Sequence, residues 1–266
     1  MVVVSAQLLY KNIESSPLLK SVFKLLEEDI EVSELLKISN TMAVTRLKYN
    51  DHGIMHARIV AGTALELLDI LMNNNIIPTT LRDGTTKNIE EAKLVVIMAS
   101  YFHDIGNSVH RVNHEYIGAF LAKDLLNRLL PKLGFVDRKL IALRQEIMHA
   151  VYATEYNTKC LTIECGVVKV SDGLDMAEGR ARIPYRLGKL DMHALSAISI
   201  KKVEIEQGAK EKPIKIVVHM DEYAGVFQLE EVLIPKIKTS GIGDYIEVYI
   251  STPTRQAKFY PISGTI

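Results

Sequence analysis

The chain has 266 residues, 48% of them apolar and 24% charged, an ordinary globular balance that supplies a sizeable core and argues against disorder. Lys plus Arg (32) cancels Asp plus Glu (32), so no overall field draws the protein to nucleic acid or an anionic membrane, and an anionic substrate has to be held by local charge. Cys160 and Cys165 are the two cysteines; without CxxC spacing they are expected as buried free thiols in a reducing cytosol, not as a disulfide scaffold or a zinc ribbon.

The opening MVVVSAQLLYKNIESS has a short apolar patch but no basic region and no small-residue cleavage site. No later run approaches the roughly 18 apolar residues of a spanning helix. A cytoplasmic protein with no membrane contact is expected. Ser16 and Pro17 form an N-cap and first-turn pair ahead of LLKSVFKLLEEDI, which opens a mostly helical region reaching to about Thr154. A helix is expected over 52–72, where Ile59, Val60, Thr63, Leu67 and Leu71 recur at three- and four-residue steps. Pro78 and the Asp83-Gly84 turn signal mark an exposed loop. After it, the strongly apolar run EEAKLVVIMASYFHD reads as a helix that delivers His103 and Asp104 at its end. Further helices are expected over about 112–131, 137–153 and 164–179.

Past Leu195 the period changes from near 3.6 to 2. ISIKKVEIE and PIKIVVHM alternate like half-buried strands, EEVLIPKI looks helical, and DYIEVYIS returns to strand. The fold class is therefore mainly α: a helical unit over 1–190, then a small α+β unit over 191–266.

Six of the eight histidines lie between His52 and His149. An imidazole and a carboxylate side by side, as in His103-Asp104, suit borderline divalent metals, although a His-Asp pair at a helix end also occurs for the dipole alone. His52 and His56 are four apart, as are His110 and His114, so either member of each pair could face inward. Ile59, Val60 and Thr63 continue the side of His56, and Gly118 and Ala119 following His114 allow close helix packing. His52 and His110 are then supporting or surface groups.

In order, the chain shows His56 in HGIMHARIVAG, His103-Asp104 in SYFHDIGN, His114 in HEYIGAFLA, His149 in EIMHAVYATE and Asp172 in KVSDGLDMAEGRARIP. This series resembles the HD superfamily of metal-dependent phosphohydrolases over about residues 50–190. The resemblance implies that His56, His103, Asp104 and Asp172 bind a first metal, and that His114 and His149, with Asp104 bridging, bind a second. One or two divalent ions (Mn, Fe, Co, Ni, Zn or Mg) are implied.

Such ions lower the pKa of bound water toward ~7 and polarise a phosphoryl oxygen. Asp104 and Lys169 are the candidate catalytic residues. Lys169, Arg111, Arg180, Arg182 and Arg186 are the candidate contacts to a phosphate, although a run such as GRARIPYR also reads as a solvated or salt-bridged connection. Asp175 is read as an exposed group. The expected substrate is a phosphorylated small molecule, a nucleotide or related metabolite, and homo-oligomer formation is left open. Two other readings stand beside hydrolysis: a diiron oxygenase built on the same residue series, and a non-catalytic nucleotide-sensing module.

Overall fold

A computed structural model of the chain describes residues 1–177, 196 and 198–261. The expected boundary near residue 190 lies outside the described residues. The first element is a short strand, β1 (Val2–Val3), followed by α1 (Gln7–Ile13), α2 (Pro17–Glu28) and α3 (Ile30–Asn40). Ser16 caps α2 by accepting the Leu19 N–H, with Pro17 in the first turn. Asp29 does the same for α3 through Val32, so both starts follow the side-chain capping rule.

The helical unit continues with α4 (Ile54–Asn73), a single turn α5 (Thr79–Arg82), α6 (Ile89–Phe102), α7 (His114–Leu129), α8 (Asp137–Tyr152) and α9 (Ile163–Leu174). Helix α6 is apolar on every side because it is buried on every side: Leu94 through Phe102 lie inside, against α2, α4, α8 and α9. That placement puts the residues at its C-terminal end, His103 and Asp104, in the interior.

After Ser199 come β2 (Ile200–Ala209) and β3 (Lys212–Met220), then α10 (Val226–Gln228), a π-helical stretch over Leu229–Leu233, α11 (Ile234–Thr239), β4 (Ile246–Ser251) and β5 (Gln256–Tyr260). The sheet runs β1-β2-β3-β4-β5. β3 and β4 are parallel, Ile214 opposite Ile246, so the chain must cross over between them. The crossover is the 226–239 helical segment, and it packs on α9. Pro235 has no N–H to continue the α ladder, and the backbone winds wider just before it.

Two readings need correction. Val2 and Val3 pair antiparallel with Ile205 and Glu204, so the first residues belong to the sheet and not to the helical unit; three consecutive valines carry no alternation by which a strand is recognised. Cys160 and Cys165 are joined as a disulfide, not free thiols, with Cα atoms 5.6 Å apart. The turn into α9, capped by the Thr162 side chain on the Cys165 N–H, brings the two within bridging distance despite the spacing.

The buried side chains of helices and sheet form one continuous core, from Leu9 and Leu67 through Val168 to Ile216 and Val248. Among the described residues, no helix is long and apolar enough to cross a membrane.

Candidate metal centre

Three elements converge at the end of α6. Helix α4 supplies His56 from its first turn, the α6 terminus supplies His103 and Asp104, and α9 supplies Asp172 from its last turn. His56, His103 and Asp172 each offer a donor atom within 4.8 Å of the others. His56 Nε2 is 3.1 Å from His103 Nε2, 3.2 Å from Asp172 Oδ1 and 3.4 Å from Asp104 Oδ2. His103 Nε2 is 3.3 Å from Asp104 Oδ2 and 3.7 Å from Asp172 Oδ1.

Hydrogen bonding fixes which ring nitrogen faces this point. His56 Nδ1–H donates to Asp175 Oδ2 at 2.6 Å and His103 Nδ1–H donates to the Ser100 carbonyl at 2.8 Å. Both Nε2 lone pairs therefore point inward. Asp104 Oδ2 is buried there and accepts no hydrogen bond, which is costly unless a cation sits against it. Four of the five separations fall in the roughly 3.0 to 3.5 Å between ligands held about 2.1 Å from one ion, His103 to Asp172 at 3.7 Å being slightly wider, and a mixed imidazole and carboxylate set suits a divalent transition metal. The residues present fit such an ion.

The electrostatics agree. Burial alone would raise Asp104, but the imidazoles of His103 and His52 hold its carboxyl well below the usual range. Burial would likewise lower His103, yet Asp104 and Asp172 outweigh it and push the ring up to about 10. Such a site attracts positive charge.

The other oxygen of Asp104 faces His114. Asp104 Oδ1 accepts from Asn107 at 2.9 Å and lies 3.3 Å from His114 Nε2, while His114 Nδ1 is 2.9 Å from Glu115. Close packing holds this arrangement. A Cβ on Gly106 would meet the His114 carbonyl at 1.9 Å, and Gly118 lies against Gly106 and Phe102. Arg111 Nη1 is 3.0 Å from His114 Nε2 and 3.9 Å from Asp104 Oδ1. Beside them a cleft of about 640 Å3 is lined by Arg111, His114, Glu115, Tyr116, Tyr152 and Tyr156, among others.

The remaining expected site residues fall elsewhere. His149 does not join the three-residue group; its Nε2 accepts the Leu161 N–H at 3.1 Å, and burial lowers its pKa. Lys169 is fully buried and donates to the carbonyls of Glu155 and Thr158 at 2.6 and 2.7 Å, so its ammonium is engaged by backbone instead of being presented to a phosphate. Burial and the nearby Lys236 bring it down to about 8. Arg180, Arg182 and Arg186 lie outside the described residues. His52 is buried with its ring 5.9 Å from that of His56, and His110 is exposed, accepting the Val112 N–H.

Two residues at the centre escape sequence reasoning. Asp175, expected to be exposed, is buried against His56; its signal was a carboxylate one turn past Asp172, on the same face of the chain. Lys236 of α11 donates to Asp172 Oδ2 at 2.7 Å. Its signal was weak: one lysine inside the apolar run VLIPKI, beyond the reach of the resemblance. Burial alone would raise Asp172, but this ammonium holds its carboxyl well below the usual range.

The comparisons agree with this geometry. The HD domain family model matches residues 53–177, a span that contains His56, His103, Asp104 and Asp172. An uncharacterized protein of Methanocaldococcus jannaschii is 42% identical over 244 residues, covering 92% of this chain and 93% of its own length. No solved structure gives a significant match. The matched span begins in front of His56 and ends just past Asp175, so the converged donors and the family's extent coincide, and the chain belongs to the HD domain family.

Proposed function

We propose that the protein is a metal-dependent phosphohydrolase acting on a phosphorylated small molecule, a nucleotide or related metabolite. The observation that carries this reading is the convergence of buried His56 Nε2, His103 Nε2 and Asp104 Oδ2 with half-buried Asp172 Oδ1, one carboxylate oxygen among them accepting no hydrogen bond. HD domain proteins are generally metal-dependent hydrolases, and these four residues would hold the ion. A divalent ion bound there acidifies a water and polarises a phosphoryl oxygen.

The chain's own residues do the rest. Asp175 and the Ser100 carbonyl hold the two imidazoles in the tautomer that turns Nε2 inward. Arg111, next to Asp104 and partly exposed at the cleft, would grip a phosphate oxygen. Asp104 faces His114 with one oxygen and the two inner imidazoles with the other, which supports a bridging role between two ions.

The test is metal analysis of the purified protein, followed by a phosphatase and phosphodiesterase panel with Mn, Co, Ni and Mg, run with and without oxygen. Phosphate release under anaerobic conditions is expected. Oxygen consumption without phosphate release would replace hydrolysis by oxidation, and nucleotide binding without turnover under any ion would leave a sensor. In the same assay His114→Ala tests the second ion and is expected to lower bound metal from about two to about one per chain, and His149→Ala tests whether that ring, whose Nε2 accepts the Leu161 N–H, takes part. Unchanged content in both would leave one.

A further inference from the structure

Lys236 is buried, and it comes from the crossover between β3 and β4, outside the matched family span. Its ammonium donates to Asp172 Oδ2 at 2.7 Å and to the Thr154 carbonyl at 3.2 Å. The Tyr156 ring lies 4.6 Å away. Carbonyl, carboxylate and aromatic face together satisfy a cation that would otherwise be costly to bury.

The approach that makes this contact is built into α9. Gly166 and Gly173 are seven residues apart, two turns, and so share a face. A Cβ on Gly166 would meet the Ser240 carbonyl at 2.5 Å, and one on Gly173 would meet both Leu233 and the Lys236 stem at 3.2 Å. The crossover therefore lies directly on the helix that carries Asp172, and the lysine stem runs through the space that Gly173 leaves open.

We propose that Lys236 is a positioning residue of the metal centre, supplied by the C-terminal unit, which occupies Asp172 Oδ2 while Oδ1 faces His56 and His103. This rests on the metal-dependent reading above. A carboxylate with both oxygens free can grip an ion with two oxygens and add one to its coordination number. With Oδ2 held by an ammonium, Asp172 offers one donor, and a coordination position stays open for water or substrate. Lys169 provides the contrast: it is equally buried, lies on the same helix as Asp172, and bonds only backbone carbonyls among the contacts described for it.

The test is a Co(II) titration of the purified full-length protein, read by visible absorption, which weakens as coordination number rises. In Lys236→Met the absorption per bound ion should drop as Asp172 binds through both oxygens, and affinity for Co(II) should rise, because a neighbouring positive charge is lost and a second donor gained. Lys236→Arg keeps the buried charge, and with it the fold should Lys236→Met not fold. Its wider head does not reproduce the single bond in a slot bounded by Gly173, so the same spectral change is expected. Lys169→Met should lower thermal stability and keep the wild-type spectrum and affinity. Wild-type spectra and affinities in both Lys236 variants, or equal changes in Lys169→Met, would overturn the positioning role while leaving the metal reading intact. A wild-type protein that takes up no Co(II) would overturn the metal reading itself.

Discussion

Asp175 shows how much one carboxylate behind a ligand can matter. Its 2.6 Å contact fixes the His56 tautomer and makes Nε2 the better donor. Asp175→Asn keeps a hydrogen-bond acceptor but removes the charge, so metal affinity should fall about ten- to a hundredfold with the fold intact. Isothermal titration with Mn(II) measures it, and an unchanged affinity would show that the tautomer is set in some other way. His103 and Asp104 were legible in the sequence because an apolar run long enough to be buried all round can only end in the interior. Lys236 was not, because a contact spanning 64 positions leaves no local pattern, and a single lysine in an apolar helix reads equally well as a snorkelling surface group. Lys169 misled for a related reason. Spacing places a residue on a helix face, but it does not say which neighbouring loop will turn its carbonyls toward that face.

Helix ends and close approaches decide how well the elements hold the centre. Asp29 caps α3 and also receives Arg128 from α7, and the Arg128 hydrogen bond holds its carboxyl down to about 2. A carboxylate depressed in the folded state stabilises above its unfolded pKa of about 3.9, and that contribution is lost as pH falls through about 2. In Asp29→Asn the cap survives and the ion pair does not. Its melting temperature should therefore lie below wild type at pH 7, with the difference shrinking between about pH 4 and pH 2. A constant difference across that range would show that loss of the Arg128 ion pair is not its cause.

Gly106 tests the other kind of contact. The His114 carbonyl blocks a Cβ there, so Gly106→Ala must move backbone and should cost about 1 to 3 kcal/mol in denaturant unfolding. Wild-type stability in that variant would mean that the turn after Asp104 yields freely. Capping signals such as Ser16-Pro17 were readable because they act within four residues. The approach of Gly106 to α7 was not, since it depends on a helix that starts eight residues later.

At the scale of the whole molecule, one core joins the helices to the sheet. Far-UV circular dichroism and the visible signal of bound Co(II) should therefore disappear in a single coincident denaturant transition. Two separated transitions would show that the sheet unit unfolds on its own. The change of period from 3.6 to 2 past Leu195 made the two kinds of structure legible, but not the contacts that join them. Periodicity reports which face of an element is apolar, not which other element covers it. The packing of the α+β part on the helices, expected from the element order, runs through particular contacts: the β3 to β4 crossover lies on α9, and the N-terminal valines pair with β2.

That edge has a consequence during synthesis. Val2 pairs with Ile205, so 203 further residues must be added after Val2 before its partner exists. At about 5 to 20 residues per second the ribosome needs roughly ten to forty seconds for that interval. The histidines and aspartates of the centre are all translated within it, so the nascent chain can assemble helices around His56, His103 and Asp172 while the valine strand is still without a neighbour. Its exposed backbone is a waiting template that other strands could find first, and a chaperone that shields short apolar segments would act on this part of the chain before any other.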